Sequence, residues 1–84
     1  MNDCLITFRS VTPAQRGESA LRRSGFACTL QRTPKWMEEQ GCGYSLRLRA
    51  QDGQAAAALL KKQHIPFRKV YLYGETDRVE ELLL

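Results

Sequence analysis

Three cysteines and one histidine, Cys4, Cys28, Cys42 and His64, are the side chains here best suited to nucleophilic attack, proton transfer or metal binding. An odd number of widely spaced cysteines implies no paired disulfide framework and leaves at least one thiol free, which fits a reducing compartment. With no C-x-x-C and one imidazole the set lacks the spacing of a structural zinc site, so no metal and no cofactor is expected. Cys4 and Cys28 fall on the apolar sides of alternating segments, where a cysteine serves as a small hydrophobe. Cys42 differs, because it lies between Gly41 and Gly43 at the end of a long predicted loop. Flanking glycines let the backbone turn tightly and leave the sulfur accessible, and free backbone N–H groups there can stabilise a thiolate. A thiolate so placed is a nucleophile able to accept sulfur. Arg32 and Lys35 would lower its pKa, whereas Glu38 and Glu39 would raise it. From spacing alone an incidental loop cysteine is an equal alternative.

The other constellations are weaker. His64 follows Gln63 at a predicted helix end, where a histidine more often answers the helix dipole than acts as a general base. Nothing in the spacing of the serines, His64, Asp52 and Asp77 brings a triad together. Gly41-Cys42-Gly43 lacks the following glycine and lysine that phosphate cradling needs.

Stepping outward from these residues, Cys4, Ile6 and Phe8 alternate with Leu5, Thr7 and Arg9, the period of a strand. Thr12-Pro13-Ala14-Gln15 offers a capping box that opens a helix with Ala14, Gly17, Ala20 and Leu21 on one stripe and Gly25 as its stop. Phe26, Cys28 and Leu30 predict a second strand ending before Thr33-Pro34. The irregular stretch from Pro34 to Gly43, with Trp36 and Met37 adjacent, is long for a strand connection and suits a functional loop. Tyr44, Leu46 and Leu48 then alternate with Ser45, Arg47 and Arg49 as a third strand. Asp52 can cap a second helix through Ala55, Ala56, Ala58, Leu59 and Leu60, stopped by Pro66. Phe67 to Tyr73 predicts a fourth strand, and Asp77 to Leu84 a short helical tail.

The order β-α-β-β-α-β matches an α+β, ferredoxin-like arrangement, a four-stranded antiparallel sheet with two helices on one face. The first and third strands would be central, placing Cys4, Ile6, Phe8, Tyr44, Leu46 and Leu48 under the helices. The opposite face would carry Leu5, Thr7, Arg9, Ser45, Arg47, Arg49, Lys69, Tyr71 and Tyr73. Basic residues beside aromatics on such a face are what single-stranded RNA binding uses. A solvated polar face or a homodimer interface is the commoner use, since both tyrosines fall on the last strand.

The 84 residues suffice for one compact domain, 1–84, with a core over 4–74 and a tail over 75–84. Such a chain buries only about 60 to 65% of its unfolded surface, which leaves little room for a deep multi-subsite pocket. Its 43% hydrophobic and 26% charged residues exclude disorder and fibrous repeats as defaults. A formal net charge of +4 favours anionic partners without naming one. No apolar run is long enough to span a bilayer and no basic-then-apolar leader opens the chain, so a cytoplasmic protein away from membranes is expected.

Gly41-Cys42-Gly43-Tyr44-Ser45-Leu46-Arg47, following Thr33-Pro34 and leading into a strand and a helix, resembles the small bacterial family of selenium/sulfur carrier protein-like domains. Leu5-Ile6-Thr7-Phe8, followed by a helix containing Leu21 and Gly25, is similar to the same pattern. The resemblance runs from about Leu5 to Tyr73. It implies a carrier more than a turnover enzyme, with Cys42 holding a persulfide or selenopersulfide. Implied partners are a cysteine desulfurase-type donor and a sulfur or selenium acceptor protein. In the loop Trp36-Met37-Glu38-Glu39-Gln40 the chain departs from the small hydroxyl residues expected before the cysteine. The rival expectation, from another class, is a non-enzymatic binding or regulatory module that uses Arg9, Arg47, Arg49 and Lys69 for RNA or a protein partner.

Overall fold

In the computed structural model, residues 2–33, 43–74 and 79–82 are described. The elements run β1 (Asp3–Phe8), α1 (Val11–Arg23), β2 (Thr29–Arg32), β3 (Tyr44–Arg49), a 3₁₀ turn (Ala50–Asp52), α2 (Gly53–Lys62), β4 (Val70–Tyr73) and β5 (Val79–Leu82). They form an α+β structure whose antiparallel sheet has the order β2-β3-β1-β4-β5. As expected from the pattern, β1 and β3 are interior and paired, with Cys4 opposite Leu48, Ile6 opposite Leu46 and Phe8 opposite Tyr44.

The fifth strand corrects the sequence expectation of four strands and a helical tail. Val79 pairs with Tyr73 and Leu82 with Val70, so this segment extends the sheet beyond β4. Four residues are too few for helical periodicity to outweigh the backbone bonds that an unpaired edge of β4 offers. The second and fourth strands also start later than expected. Phe26 to Cys28 lies outside β2, although Cys28 is buried and Phe26 packs on the core. Before β4 the ladder continues irregularly, with the Thr7 N–H bonded to the Lys69 carbonyl at 2.9 Å and the Arg68 N–H to the Thr7 carbonyl at 2.7 Å.

Helix α1 begins one residue before the expected cap. Ser10 is the N-cap, without a side-chain capping bond, and Thr12 lies inside the first turn. The buried stripe is the expected one, Ala14, Gly17, Ala20 and Leu21. A Cβ on Gly17 would come within 3.1 Å of the Phe8 ring and 3.3 Å of Leu46, so the missing side chain sets how closely α1 approaches the sheet. Gly25, at φ +90°, closes the helix while Phe26 N–H reaches the Leu21 carbonyl at 2.9 Å and Gly25 N–H the Arg22 carbonyl at 3.1 Å. This is a Schellman end, in which left-handed backbone lets the last carbonyls find donors.

Helix α2 ends the same way without a glycine. His64 takes φ 57°, the Ile65 N–H bonds the Leu60 carbonyl at 2.9 Å, and the His64 N–H bonds the Lys61 carbonyl at 3.1 Å. Ile65 is buried against the core, and Pro66 follows. The core between helices and sheet gathers Cys4, Ile6, Phe8, Leu21, Leu46, Leu60 and Val70. Burying each large aliphatic or aromatic side chain stabilises the fold by roughly 1.5–3 kcal/mol.

The second sheet face is not open throughout. Leu5, Thr7 and Ser45, expected among its solvent-facing residues, are each 0% exposed. On the register Leu5 lies between Arg47 and Tyr71, and Thr7 lies beside Ser45. Among the described residues no helix is long and apolar enough to cross a membrane.

Candidate functional site

The segment 34–42 joins the ends of β2 and β3, and those ends are firmly paired. Arg32 faces Tyr44 across the ladder, and the Thr33 N–H donates to the Gly43 carbonyl at 3.0 Å. Cys42, Gly41, Lys35, Trp36, Met37, Glu38 and Glu39 lie outside the described residues, Cys42 being one peptide bond from Gly43. Gly43 itself is buried. A Cβ there would stand 3.1 Å from the Phe8 carbonyl oxygen and 3.2 Å from the Thr33 hydroxyl, so the absence of a side chain lets three backbone segments converge.

Thr33 Oγ1 is buried and finds no hydrogen-bond partner, and the same is true of Ser45 Oγ on the same face. A buried unsatisfied hydroxyl costs about 1–3 kcal/mol. In sequence Thr33-Pro34 marks the end of the second strand and belongs to the motif that leads to Cys42; the place of Thr33 at the closure follows from the pairing of β2 and β3. Arg32, expected beside the thiol, is exposed with its guanidinium 5.5 Å from the centroid of the Tyr44 ring.

The other two thiols are held where a thiolate is unfavourable. Cys4 Sγ lies under the start of α2, 2.9 Å from where a Cβ on Gly53 would be. Burial, seconded by the negative charge of Asp52, pushes its pKa from 9.0 up to about 12. Cys28 is also raised, mainly by burial, although Arg22 nearby acts the other way. The Cys28 S–H points to the Glu18 carbonyl at 3.9 Å, and the Arg22 guanidinium donates to the Cys28 carbonyl at 3.0 Å.

The face expected to be basic is more mixed than the sequence suggested. Arg9, Arg47, Arg49 and Lys69 are exposed, and Tyr71 and Tyr73 are half-buried. Strand β5 sets Glu81 beside Tyr71, where its carboxylate lies 3.5 Å from Lys69 Nζ. Asp3 pairs with Tyr73 on the opposite side. Tyr73 has its pKa raised by burial and then by Asp3, while the positive charge of Arg47, and its hydrogen bond, pull it down.

A family model described as "Putative Se/S carrier protein-like" matches residues 3–72. The chain belongs to this Se/S carrier-like family. The match spans β1 to the middle of β4 and contains Gly43, Thr33 and all three cysteines of the family member. No curated protein and no solved structure matches it.

Proposed function

We propose that this chain is a thiol-based carrier that accepts sulfur or selenium on Cys42 and hands it to an acceptor protein. One observation carries the choice of residue: both other thiols are buried with their pKa raised, so neither supplies a ready thiolate near neutral pH. Membership of a carrier-like family supports the transfer chemistry and implies partners that give and take sulfur or selenium. Gly41 and Gly43 would shape the loop end, with Arg32 and Lys35 assisting the thiolate or guiding an acidic partner. The order β2-β3-β1-β4, with both helices over one face, supports describing the scaffold as ferredoxin-like, extended by β5.

In the proposed step the Cys42 thiolate attacks the outer sulfur of a donor persulfide, R–S–SH. A bond forms from Cys42 Sγ to that sulfur, the donor S–S bond breaks, and its electron pair leaves on the donor as a thiolate. The proton stays on the transferred sulfur, giving a Cys42 persulfide with no net oxidation. The test is intact-mass spectrometry after incubation with a cysteine desulfurase and cysteine. The expected result is a gain of about 32 Da mapped to the peptide containing Cys42 and abolished by Cys42→Ser. An adduct that survives Cys42→Ser, or none in the native chain, refutes the assignment.

A further inference from the structure

The two helices carry the net charge of the whole chain. Val11–Arg23 and Gly53–Lys62 contain Arg16, Arg22, Arg23, Lys61 and Lys62 against one acid, Glu18. That balance equals the formal +4 of all 84 residues, so the rest of the chain is neutral as a sum. Glu18 is engaged with Arg22 at 3.3 Å, and among the described residues neither Arg16 nor Arg23 has an ion-pair partner.

Arg16 and Arg23 share one stripe of α1. Thr12, Gln15, Arg16, Ser19 and Arg23 follow the three-and-four spacing of a single helix face, and both arginines are exposed. They border a groove of about 440 Å³ between α1 and the turn that follows α2, with Gln63 on the far wall and the buried Ala20 and Ile65 as its floor. The left-handed backbone at His64 builds that wall, since it returns Ile65 to the core and leaves Gln63 exposed at the rim. Among the described residues no acidic side chain lines the groove.

We propose that this groove docks an acidic helical segment of a partner protein, one with carboxylates seven residues apart. Seven residues rise about 10.5 Å along a helix, so a second helix laid along α1 meets Arg16 and Arg23 with two carboxylates of the same spacing. Each guanidinium fork matches a carboxylate through two parallel hydrogen bonds. Gln15, Ser19 and Gln63 offer amide and hydroxyl groups between and beside them. Other polyanions fit less well. Nucleic acid bound as single strands stacks on aromatic rings, and a lipid surface takes up large apolar side chains. Helices α1 and α2 contain no aromatic residue and expose no large apolar one. The docking face stands without the carrier assignment; under that assignment, its occupant belongs to the protein that gives or takes the cargo.

The test is an NMR titration of the full chain with a synthetic alanine-based helical peptide whose glutamates lie seven residues apart on one face. Saturable shifts are expected at the amides of Gln15, Arg16, Ser19, Arg23 and Gln63. Arg16→Gln and Arg23→Gln should each weaken binding roughly three- to tenfold, the scale of one charge-assisted contact at an exposed site. Both side chains are exposed, so these variants alter contact and leave folding intact. Arg49→Gln, on the other face of the sheet, should leave the affinity unchanged. Cys42→Ser should bind the peptide as the native chain does, so a failure of the carrier assignment leaves this result standing. A peptide with the same glutamates distributed around the helix should bind more weakly, and equal affinity for the two would overturn the groove in favour of net charge alone. Absence of saturation, or indifference to both arginine substitutions, would overturn the proposal. Tighter binding of an oligothymidylate or of phosphatidylserine vesicles at the same amides would overturn it in favour of a nucleic-acid or membrane surface.

Discussion

Cys4 is a cysteine used as a packing atom, and its environment gives stability a pH dependence of known sign. In the unfolded chain the thiol ionises near 9.0, whereas in the folded chain it holds its proton up to about 12. Above pH 9 the unfolded state therefore binds fewer protons than the folded state, and stability falls as pH rises. The contribution is intact below pH 9 and is lost progressively toward pH 12, by at most about 1.4 kcal/mol per pH unit from this group. Cys28, raised in the same direction, adds to the slope. Urea unfolding at pH 7, 9 and 10.5 should show the decline, and Cys4→Ala should flatten it; an unchanged slope would show that other groups carry it. His64 yields an expectation of opposite kind. It occupies a left-handed position that glycine takes without strain, so His64→Gly should raise stability by about 0.5–1 kcal/mol in thermal unfolding. A loss instead would mean that the imidazole makes a contribution its backbone position does not reveal.

Between elements, α2 meets β1 at close range. A Cβ on Gly53 would fall 2.9 Å from Cys4 Sγ but an ordinary 3.5 Å from Cys4 Cβ. Gly53→Ala should therefore destabilise by about 1 kcal/mol net, the overpacking penalty exceeding the gain in helix propensity. In a Cys4→Ala background most of that penalty should vanish, because the colliding sulfur is gone. Denaturant midpoints for the two single variants and the double would measure the coupling, and simple additivity would show that the contact is not the cause. Strand β5 acts at this scale too. It covers the outer edge of β4, places Leu82 near Gly53 under the helices, and brings Glu81 to Lys69 on the other face. That ion pair is partly exposed, so its effect is on charge distribution more than on stability.

Across the molecule, the formal charge of +4 is not spread as one basic sheet. Asp3 and Glu81 interrupt the face that carries Arg47, Lys69 and the two tyrosines, and Leu5, Thr7 and Ser45 are withdrawn from its surface. Single-stranded nucleic acid bound by stacking and phosphate contacts needs continuity of both. A fluorescent oligouridylate should accordingly bind weakly, with a Kd above about 100 μM at physiological salt. Micromolar affinity lost on Arg47→Gln and Arg49→Gln would reverse this view.

Sequence alone determined the elements whose periodicity is long enough to speak for itself. The stripe Ala14, Gly17, Ala20 and Leu21, the alternations of β1 and β3, and the burial of Cys4 and Cys28 were all legible, because local spacing fixes which side of an element is apolar. The short motif around Cys42 also pointed to the Se/S carrier-like family that the match over residues 3–72 establishes. Tertiary structure decided what depends on partners distant in the chain. Val79–Leu82 is a strand because β4 offers an edge, not because four residues prefer one. Thr7 clamps Lys69 across 62 positions, and Thr33 meets Gly43 only once β2 and β3 are in register. A hydrogen bond or a charge between residues far apart in sequence leaves no period to read, so the shape of the candidate sites had to come from the fold.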